Sequence, residues 1–309
     1  MALLLMNPIA GNSEDWVAAF DQHLPGLDIR TWPDVGDLTD IEYLAMGRPE
    51  LDKLPELSNL KLMLTMLASV DGMLANPKLP DVPLVKGEPE GGDPSLTEYA
   101  VTLILSHHRQ MPAYRQQQRE HVWQPIPQKG ASEQRVGFMG YGVMAKPVAG
   151  LLAKMGFDVA AWTRTPKPDA PIEMFHGDDG FDDFLARTDI AICLLPVTPH
   201  TKGILNAIAF SKMPQGASII SLGRGVHVVT DDMIAALESG QLSAATLDVT
   251  DPEPLPADSP LWDHPKVTIM PHVARRPPVS QIAPQFAENI KRFQKGEPLL
   301  QEIDRKAGY

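Results

Sequence analysis

The sequence predicts an α/β protein built from two doubly wound parallel sheets. Short apolar runs alternate with helical patterns in the first part of the chain, and the alternation starts again at Arg135. Strands that alternate with helices are typical of parallel sheets, because each helix returns the chain to the edge where the next strand begins. The 309 residues are enough for two domains, each with its own core.

The first alternation is followed by a loop and a long helix. Its strand-like runs are residues 2–6, 28–32, 41–46 and 61–67. Residues 78–94 are rich in Pro and Gly and predict a loop with one short strand at most. Ser95 and Glu98 then have the spacing of a helix start, and the apolar positions that follow have helical spacing.

The second alternation contains six strand-like runs: RVGFM, DVAAWT, DIAICLLP, ASIISLG, AATLDV and KVTIM. Six such strands complete a doubly wound, Rossmann-like sheet, so residues 101–274 are predicted to form a dinucleotide-binding domain. A helical pattern ended by Gly296 follows and is predicted to pack back on the first domain.

Composition excludes several classes of protein. A net charge of -12 argues against nucleic-acid and anionic-membrane surfaces. Cys193 is the one cysteine, so no internal disulfide can form, and its apolar surroundings predict a buried, inert thiol. The start MALLLMNPIAG is too short for a signal peptide or a membrane span, so a cytoplasmic location is expected.

A glycine-rich turn follows the strand RVGFM. Gly140, Gly142 and Ala145 give the pattern G-x-G-x-x-A before a helix. The first glycine permits a tight turn, the second lets a pyrophosphate approach the backbone, and the third small residue allows close packing of helix and strand. A purely structural glycine turn is the alternative, and the flanking strand and helix favour the dinucleotide site.

The end of the next strand predicts the choice of cofactor. Thr163 stands where an acidic residue would bind a ribose 2′-hydroxyl, and Arg164, Thr165 and Lys167 follow it. No carboxylate would repel a 2′-phosphate, and Arg164 offers a planar fork of donors for one. The pattern favours NADP(H) over NAD(H). The alternative is that Arg164 is only a solvated loop charge.

Three polar residues lie just past the ends of three later strands: Arg224, Glu253 and His272. Parallel strands present their carboxyl ends at one sheet edge, where ligands of such sheets bind. Arg224 could bind an anionic substrate, His272 could move a proton, and Glu253 could stabilise the imidazolium. Each residue alone could be a solvated charge or a loop histidine; together they indicate a catalytic site. Asp248 could bind a nicotinamide carboxamide or simply order the strand end.

The other histidines have no paired spacing typical of a metal site, and no metal is expected. They are predicted to be structural or exposed: His107, His108, His121, His176, His200, His227 and His264.

The sequence resembles the D-isomer-specific 2-hydroxyacid dehydrogenases, and within them the glyoxylate/hydroxypyruvate reductase branch. The resemblance covers nearly the whole chain and rests on the motifs VGFMGYGVMA, LLPVTPHTKGILN, SLGRGVHVV, LDVTDPEPLPADSPLW and MPHVA, together with LTEYAVTLIL, RQQQREHVWQP and EIDRKAGY.

The resemblance implies roles for these residues and an assembly. Arg224, Glu253 and His272 would be catalytic. The implied cofactor contacts are Gly140, Gly142, Val143, Met144, Thr163, Arg164, Thr165, Leu195, Pro196, Thr201, Leu222, Gly223 and Asp248. Residues 1–100 with 275–309 would form a discontinuous, flavodoxin-like substrate domain, with the active site in the cleft between the domains. A homodimer built around the long helix and the RQQQREHVW segment is also implied.

The chain departs from the family pattern at the loop that binds the substrate carboxylate. The family usually has Gly-Ala-Gly-Val-Asp there, whereas this chain has Leu67, Ala68 and Ser69 before Val-Asp. The implied substrate contacts are Leu67, Ala68, Ser69, Arg224 and His272. Without the glycines the loop loses freedom at positive φ and gains bulk, so the pocket either keeps its amides inward or has another shape. Arg275 and Arg276 are interpreted as solvated charges or, alternatively, as positive potential near the site.

The sequence therefore predicts an NADPH-dependent reductase of small 2-keto acids, converting glyoxylate to glycolate and hydroxypyruvate to glycerate. The alternatives are a dehydrogenase for a different 2-hydroxy acid and a dinucleotide-sensing binding protein on the same fold.

Overall fold

A computed structural model of the protein describes residues 1–9, 11–47, 50–67, 70–88, 92–275 and 277–305. The chain divides into two compact units, Met1–Asp93 with Arg275–Tyr309, and Pro94–Ala274. Each unit contains one sheet, and every strand pair in both sheets is parallel. The predicted class, two parallel-sheet α/β domains, is confirmed.

The strands of the described residues are β1 (Ala2–Met6), β2 (Asp28–Thr31), β3 (Ile41–Met46), β4 (Leu62–Thr65), β5 (Leu84–Lys86), β6 (Arg135–Met139), β7 (Asp158–Thr163), β8 (Glu173–His176), β9 (Ile190–Cys193), β10 (Ala217–Ser221), β11 (Leu242–Leu247) and β12 (Val267–Ile269). The helices are α1 (Ser13–His23), α2 (Asp71–Leu74), α3 (Pro94–His108), α4 (Met111–Arg119), α5 (Ala145–Lys154), α6 (Asp179–Ala186), α7 (Ala207–Lys212), α8 (Thr230–Glu238) and α9 (Val279–Lys295). Residue 100, the predicted first boundary, lies inside α3. None of the described helices is long and apolar enough to cross a membrane.

The sheet of the first unit has the order β2-β1-β3-β4-β5, the flavodoxin-like arrangement. Every residue of β1 is buried, because helices cover both faces of a parallel sheet. Trp16 and Phe20 of α1 pack against Phe286 of α9, with 5.9 Å between the ring centroids of Trp16 and Phe286. α9 ends at Gly296, whose φ of 69° is left-handed. The predicted packing of the tail on the first unit is confirmed.

The interpretation of Arg275 as a solvated charge is wrong. Its side chain is 8% exposed and forms an ion pair with Asp93 at 2.9 Å. The guanidinium also donates to the carbonyl of Met66 at 3.1 Å and to that of Gly87. Arg275 therefore joins the carbonyl groups just past β4 and β5, where its charge is compensated by a buried carboxylate. Arg276 lies outside the described residues.

The sheet of the second unit has the order β12-β11-β10-β9-β6-β7-β8. The six predicted strands are present, and β8 extends the sheet beyond them. Its four residues, EMFH, are only partly buried, so no apolar run marks this edge strand. The direction of winding reverses between β6 and β9, so the loops after these two strands flank the crevice where such sheets bind ligands.

The loops that follow β10 and β11 touch at a glycine. A Cβ built on Gly225 would lie 2.0 Å from the carbonyl carbon of Thr250 and 2.5 Å from the nitrogen of Asp251. Both neighbours are backbone atoms, which cannot move aside as a flexible side chain would. Only glycine therefore allows the two loops to approach this closely.

We expect Gly225→Ala to lower the free energy of unfolding by roughly 2–4 kcal/mol, because the added methyl group forces two backbone segments apart. Gly150→Ala is the matched control in the same unit. A Cβ there would have no atom within 4 Å, and Gly150 lies inside α5, so this change should stabilise the chain by about 0.5–1 kcal/mol. Urea unfolding of both variants measures the two effects. Equal stability of the two variants would contradict the close approach.

Candidate active site

Arg224, Glu253 and His272 lie in the loops that follow β10, β11 and β12. These strands are consecutive neighbours in the sheet, and all run in the same direction. The three loops therefore leave the sheet at one edge, side by side. The three predicted site residues are spread over residues 224–272 of the chain. The parallel topology nevertheless brings their loops to the same edge of the sheet.

Glu253 and His272 form the central pair of the site. Nδ1 of His272 lies 2.8 Å from Oε2 of Glu253, and Oε1 of Glu253 accepts a hydrogen bond from the amide of Thr250 at 3.0 Å. An ionised carboxylate can only accept, so Nδ1–H of the imidazole is the donor. This bond fixes the ring and leaves Nε2 as its other polar atom. Both side chains are partly exposed.

The backbone at His272 is held by the buried carboxylate of Asp248. Its oxygens accept hydrogen bonds from the amides of Val273 at 2.9 Å and Ala274 at 3.0 Å. His272 itself has a left-handed φ of 53°, which is uncommon for residues other than glycine. Of the two roles considered for Asp248, these bonds support ordering of the strand end; contact with a cofactor stays a prediction.

Tyr99 of α3 also binds this carboxylate, a contact that no pattern in the sequence predicts. Its hydroxyl donates to Oδ1 of Asp248 at 2.8 Å. Burial, and then the bond to Asp248, raise the pKa of Tyr99 above its ordinary value, so the hydroxyl stays a donor. The two residues are separated by 149 positions, and no local pattern could have paired them.

Arg224 is partly buried in the loop that follows β10. Its Nη1 donates to the carbonyl of Gly223 at 2.7 Å, and its amide donates to Nδ1 of His227 at 3.2 Å. His227 is fully buried. The sequence classed this histidine only as structural or exposed, and its position three residues after Arg224 in SLGRGVHVV was the one available indication.

The glycine turn has the backbone that a dinucleotide requires. Gly140 has a φ of 96°, and a Cβ there would lie 3.3 Å from the carbonyl oxygen of Leu194. A Cβ on Gly142 would have no described atom within 4 Å, so its backbone faces open space. α5 begins at Ala145, which is buried, and directs its amino terminus toward this turn. These residues fit the pyrophosphate of a dinucleotide. Val143 and Met144 occupy the first positions after the turn.

The end of β7 fits a phosphorylated ribose. Thr163 closes the strand, and its hydroxyl donates to the carbonyl of Thr165 at 2.8 Å. Arg164 is exposed, and within the part of the chain that the structure describes its guanidinium has no hydrogen-bond or ion-pair partner. A cation without a competing carboxylate is suited to a phosphate.

The loop after β9 contains Leu195, Pro196 and Thr201. The hydroxyl of Thr201 donates to the carbonyl of Pro196 at 2.7 Å and accepts from the amide of Thr198 at 2.8 Å, which closes the loop. Leu222, the first residue after β10, donates its amide to the carbonyl of Cys193 at 3.0 Å. The predicted burial of Cys193 is confirmed, and burial raises the pKa of its thiol to about 12.

The predicted carboxylate-binding loop is described only in part. The amide of Leu67 donates to the hydroxyl of Thr65 at 3.2 Å, so it is already engaged within the chain. Ala68 and Ser69 lie outside the described residues. Among the described residues, no group of three or more His, Cys, Asp or Glu side chains could hold a metal ion.

Comparison with known proteins identifies the family. The model of the D-isomer specific 2-hydroxyacid dehydrogenase NAD-binding domain matches residues 101–274. A D-isomer specific 2-hydroxyacid dehydrogenase from Xanthobacter autotrophicus Py2, solved with NADPH and MES, is 36% identical, with a TM-score of 0.90; the match covers 100% of this chain and 99% of that one.

Two other solved structures are similar over the full length of this chain. One is the NADPH-dependent glyoxylate/hydroxypyruvate reductase from Sinorhizobium meliloti with NADP and sulfate, which is 34% identical, with a TM-score of 0.90, and is covered to 100%. The other is a probable 2-hydroxyacid dehydrogenase from Rhizobium etli CFN 42 with NADP, HEPES and L(+)-tartaric acid, which is 32% identical, with a TM-score of 0.85, and is covered to 99%. The chain belongs to the D-isomer specific 2-hydroxyacid dehydrogenase family and is an NAD(P)-dependent oxidoreductase.

Proposed function

We propose that the protein is an NADPH-dependent reductase of small 2-keto acids, with glyoxylate and hydroxypyruvate as the leading substrates. The observation that carries this proposal is the 2.8 Å bond between His272 and Glu253 at the sheet edge shared with the Arg224 loop. It is the arrangement that proton transfer beside a bound anion requires. The similarity to a glyoxylate/hydroxypyruvate reductase supports the choice of substrates.

The residues divide the reaction among them. Arg224 binds the substrate carboxylate and polarises the keto group, because a guanidinium offers several donors in a fixed fork. His272 donates the Nε2 proton to the keto oxygen, and Glu253 stabilises the imidazolium through Nδ1–H. NADPH, when bound, supplies the hydride that reduces the keto carbon. In the reverse direction the neutral ring of His272 accepts the hydroxyl proton.

The binding residues complete the proposal. Leu195, Pro196, Thr201, Leu222 and Gly223 line the cofactor side with the glycine turn. Residues 101–274 bind the dinucleotide, and residues 1–100 with 275–309 contribute the loop Leu67–Ser69 to the substrate. The preference for NADPH rests on Arg164 and on Thr163, which replaces an acidic residue. Because the loop Leu67–Ser69 is bulkier than the usual glycine-containing loop, the alternative is that the preferred substrate is a different 2-hydroxy or 2-keto acid.

We also propose a homodimer in the cytoplasm. Trp123 is 99% exposed and Val122 lies beside it, at a groove of about 670 Å³ formed by the end of α4 and the following segment. Large exposed apolar side chains of this kind mark contact surfaces.

We expect His272→Gln to lower kcat by about 10²–10⁴-fold while NADPH still binds, because a general acid of the reaction is lost. Steady-state NADPH oxidation with a panel of 2-keto acids measures kcat, and fluorescence titration measures NADPH binding. The wild-type protein should prefer glyoxylate and hydroxypyruvate in the same panel. Wild-type turnover with no member of the panel would favour a dinucleotide-sensing binding protein.

Glu253→Gln provides the control for that experiment. Since Glu253 acts through the ring of His272, the double variant should be no slower than His272→Gln alone. Additive losses would contradict coupling of the pair, and retained turnover in His272→Gln would remove the role assigned to this histidine.

We expect Arg164→Ala to raise the KM for NADPH by about 10- to 100-fold and to leave the KM for NADH nearly unchanged. The loss corresponds to charge-assisted hydrogen bonds to a phosphate, which are worth roughly 1.5–3 kcal/mol. Lys154→Ala is the matched control. It removes one exposed cation at the carboxyl end of α5, away from the glycine turn, where no phosphate is expected to bind. An equal effect of Arg164→Ala on both cofactors would refute the assignment.

We expect Trp123→Ala to weaken the dimer by at least about 30-fold in Kd, since a buried tryptophan at an interface is typically worth 2 kcal/mol or more. Sedimentation velocity over a concentration series measures the equilibrium. Trp262→Ala, which removes another exposed tryptophan of the same unit, should leave it unchanged. A monomeric wild-type protein at every concentration would exclude the proposed assembly.

A further inference from the structure

His227 lies between the loops that follow β9 and β10. Its Nδ1 is 3.2 Å from the amide nitrogen of Arg224, and its Nε2 is 3.3 Å from the carbonyl oxygen of Pro196. The ring is fully buried. One imidazole therefore contacts the backbone of the proposed substrate-binding arginine and the backbone of the proposed cofactor loop.

The two partners determine where the ring proton lies. The amide of Arg224 can only donate, so Nδ1 must present its lone pair. The carbonyl of Pro196 can only accept, so Nε2 must carry the hydrogen. Cys193 lies 3.6 Å from Nδ1 through its sulfur, and burial keeps it a protonated thiol that can also donate to this lone pair. All three contacts fit one form of the ring, the neutral Nε2–H tautomer.

The backbone of Gly223 packs closely against the ring of His227. A Cβ on Gly223 would lie 3.0 Å from Nδ1 of His227 and 2.9 Å from the carbonyl oxygen of Leu195. The carbonyl of Pro196 also accepts from the hydroxyl of Thr201, so the cofactor loop is closed on its far side as well. The ring thus lies between the two loops, in contact with the backbone of each.

We propose that His227 is a positioning residue, which sets the Arg224 loop and the Pro196 loop relative to each other through a neutral Nε2–H ring. The proposal rests on the functions proposed above for these two loops. In this role His227 acts through the backbone of Arg224 on the one side and of Pro196 on the other. Loss of the Nδ1 contact and loss of the Nε2 contact should therefore have different effects on the kinetics.

Two amide replacements separate the two contacts. His227→Asn keeps a polar atom near the place of Nδ1 and loses the reach to Pro196. It should raise the Kd and KM for NADPH by about 3- to 10-fold and change the KM for the keto acid little. His227→Gln keeps a donor near the place of Nε2 and loses the bond to Arg224. It should raise the KM for the keto acid by about 3- to 10-fold and keep NADPH affinity.

His264→Gln is the matched control. Nδ1 of His264 also accepts a backbone amide, that of Lys266 at 3.2 Å, but this loop precedes β12 at the opposite edge of the sheet. The control should leave the kinetics unchanged. A general loss of stability, with lower kcat and both KM values unaltered in the two His227 variants, would mean a structural role only and would overturn the proposal.

A measurement without substrate separates failure of this proposal from failure of the proposed function. In wild-type protein labelled with ¹⁵N-histidine, the ring signals missing from His227→Gln should have the shifts of a neutral Nε2–H tautomer. A protonated ring or the Nδ1–H tautomer would overturn the proposal. If no keto acid is reduced but the tautomer and the NADPH affinities behave as expected, the proposed substrate is wrong and the positioning of the cofactor loop stands.

Discussion

The buried carboxylate of Asp248 is the constraint on which the site depends. It is 1% exposed, and a charge removed from water must be compensated by hydrogen bonds. The amides of Val273 and Ala274 and the hydroxyl of Tyr99 provide them. The same bonds hold the turn at His272 in a left-handed conformation, which a residue with a side chain adopts only when its surroundings enforce it. The imidazole therefore reaches Glu253 already oriented.

The other loops of this sheet edge are joined in the same pairwise manner. Asp248 connects the end of β11 to the loop after β12. Gly225 allows backbone contact between the loops after β10 and β11. His227 contacts both the loop after β9 and the loop after β10. Each of these contacts acts between loops that follow neighbouring strands of the sheet. Reactive groups must be held to within fractions of an ångström, and these short-range contacts hold the loops of this sheet edge relative to one another.

The sequence predicted the parts whose cause is local. Apolar runs locate the strands of both sheets, and a glycine pattern between strand and helix locates the turn at Gly140, because backbone sterics and burial act within a few residues. The short edge strand β8 was missed, since a partly exposed strand needs no apolar run. The burial of Arg275 and the bond between Tyr99 and Asp248 depend on chain segments far apart in sequence, so neither leaves a local pattern.

Electrostatics explains how an acidic protein can bind two anionic ligands. The net charge of -12 would oppose their approach if it acted at long range. At physiological ionic strength charges are screened over about 8 Å, so the field at the site is set by the groups within it. The donors to the carboxylate of Asp248 are two backbone amides and a hydroxyl, which are neutral groups. Arg224 and Arg164 follow β10 and β7 at the same sheet edge. The two guanidinium groups therefore lie in loops where the substrate carboxylate and the cofactor phosphate are proposed to bind.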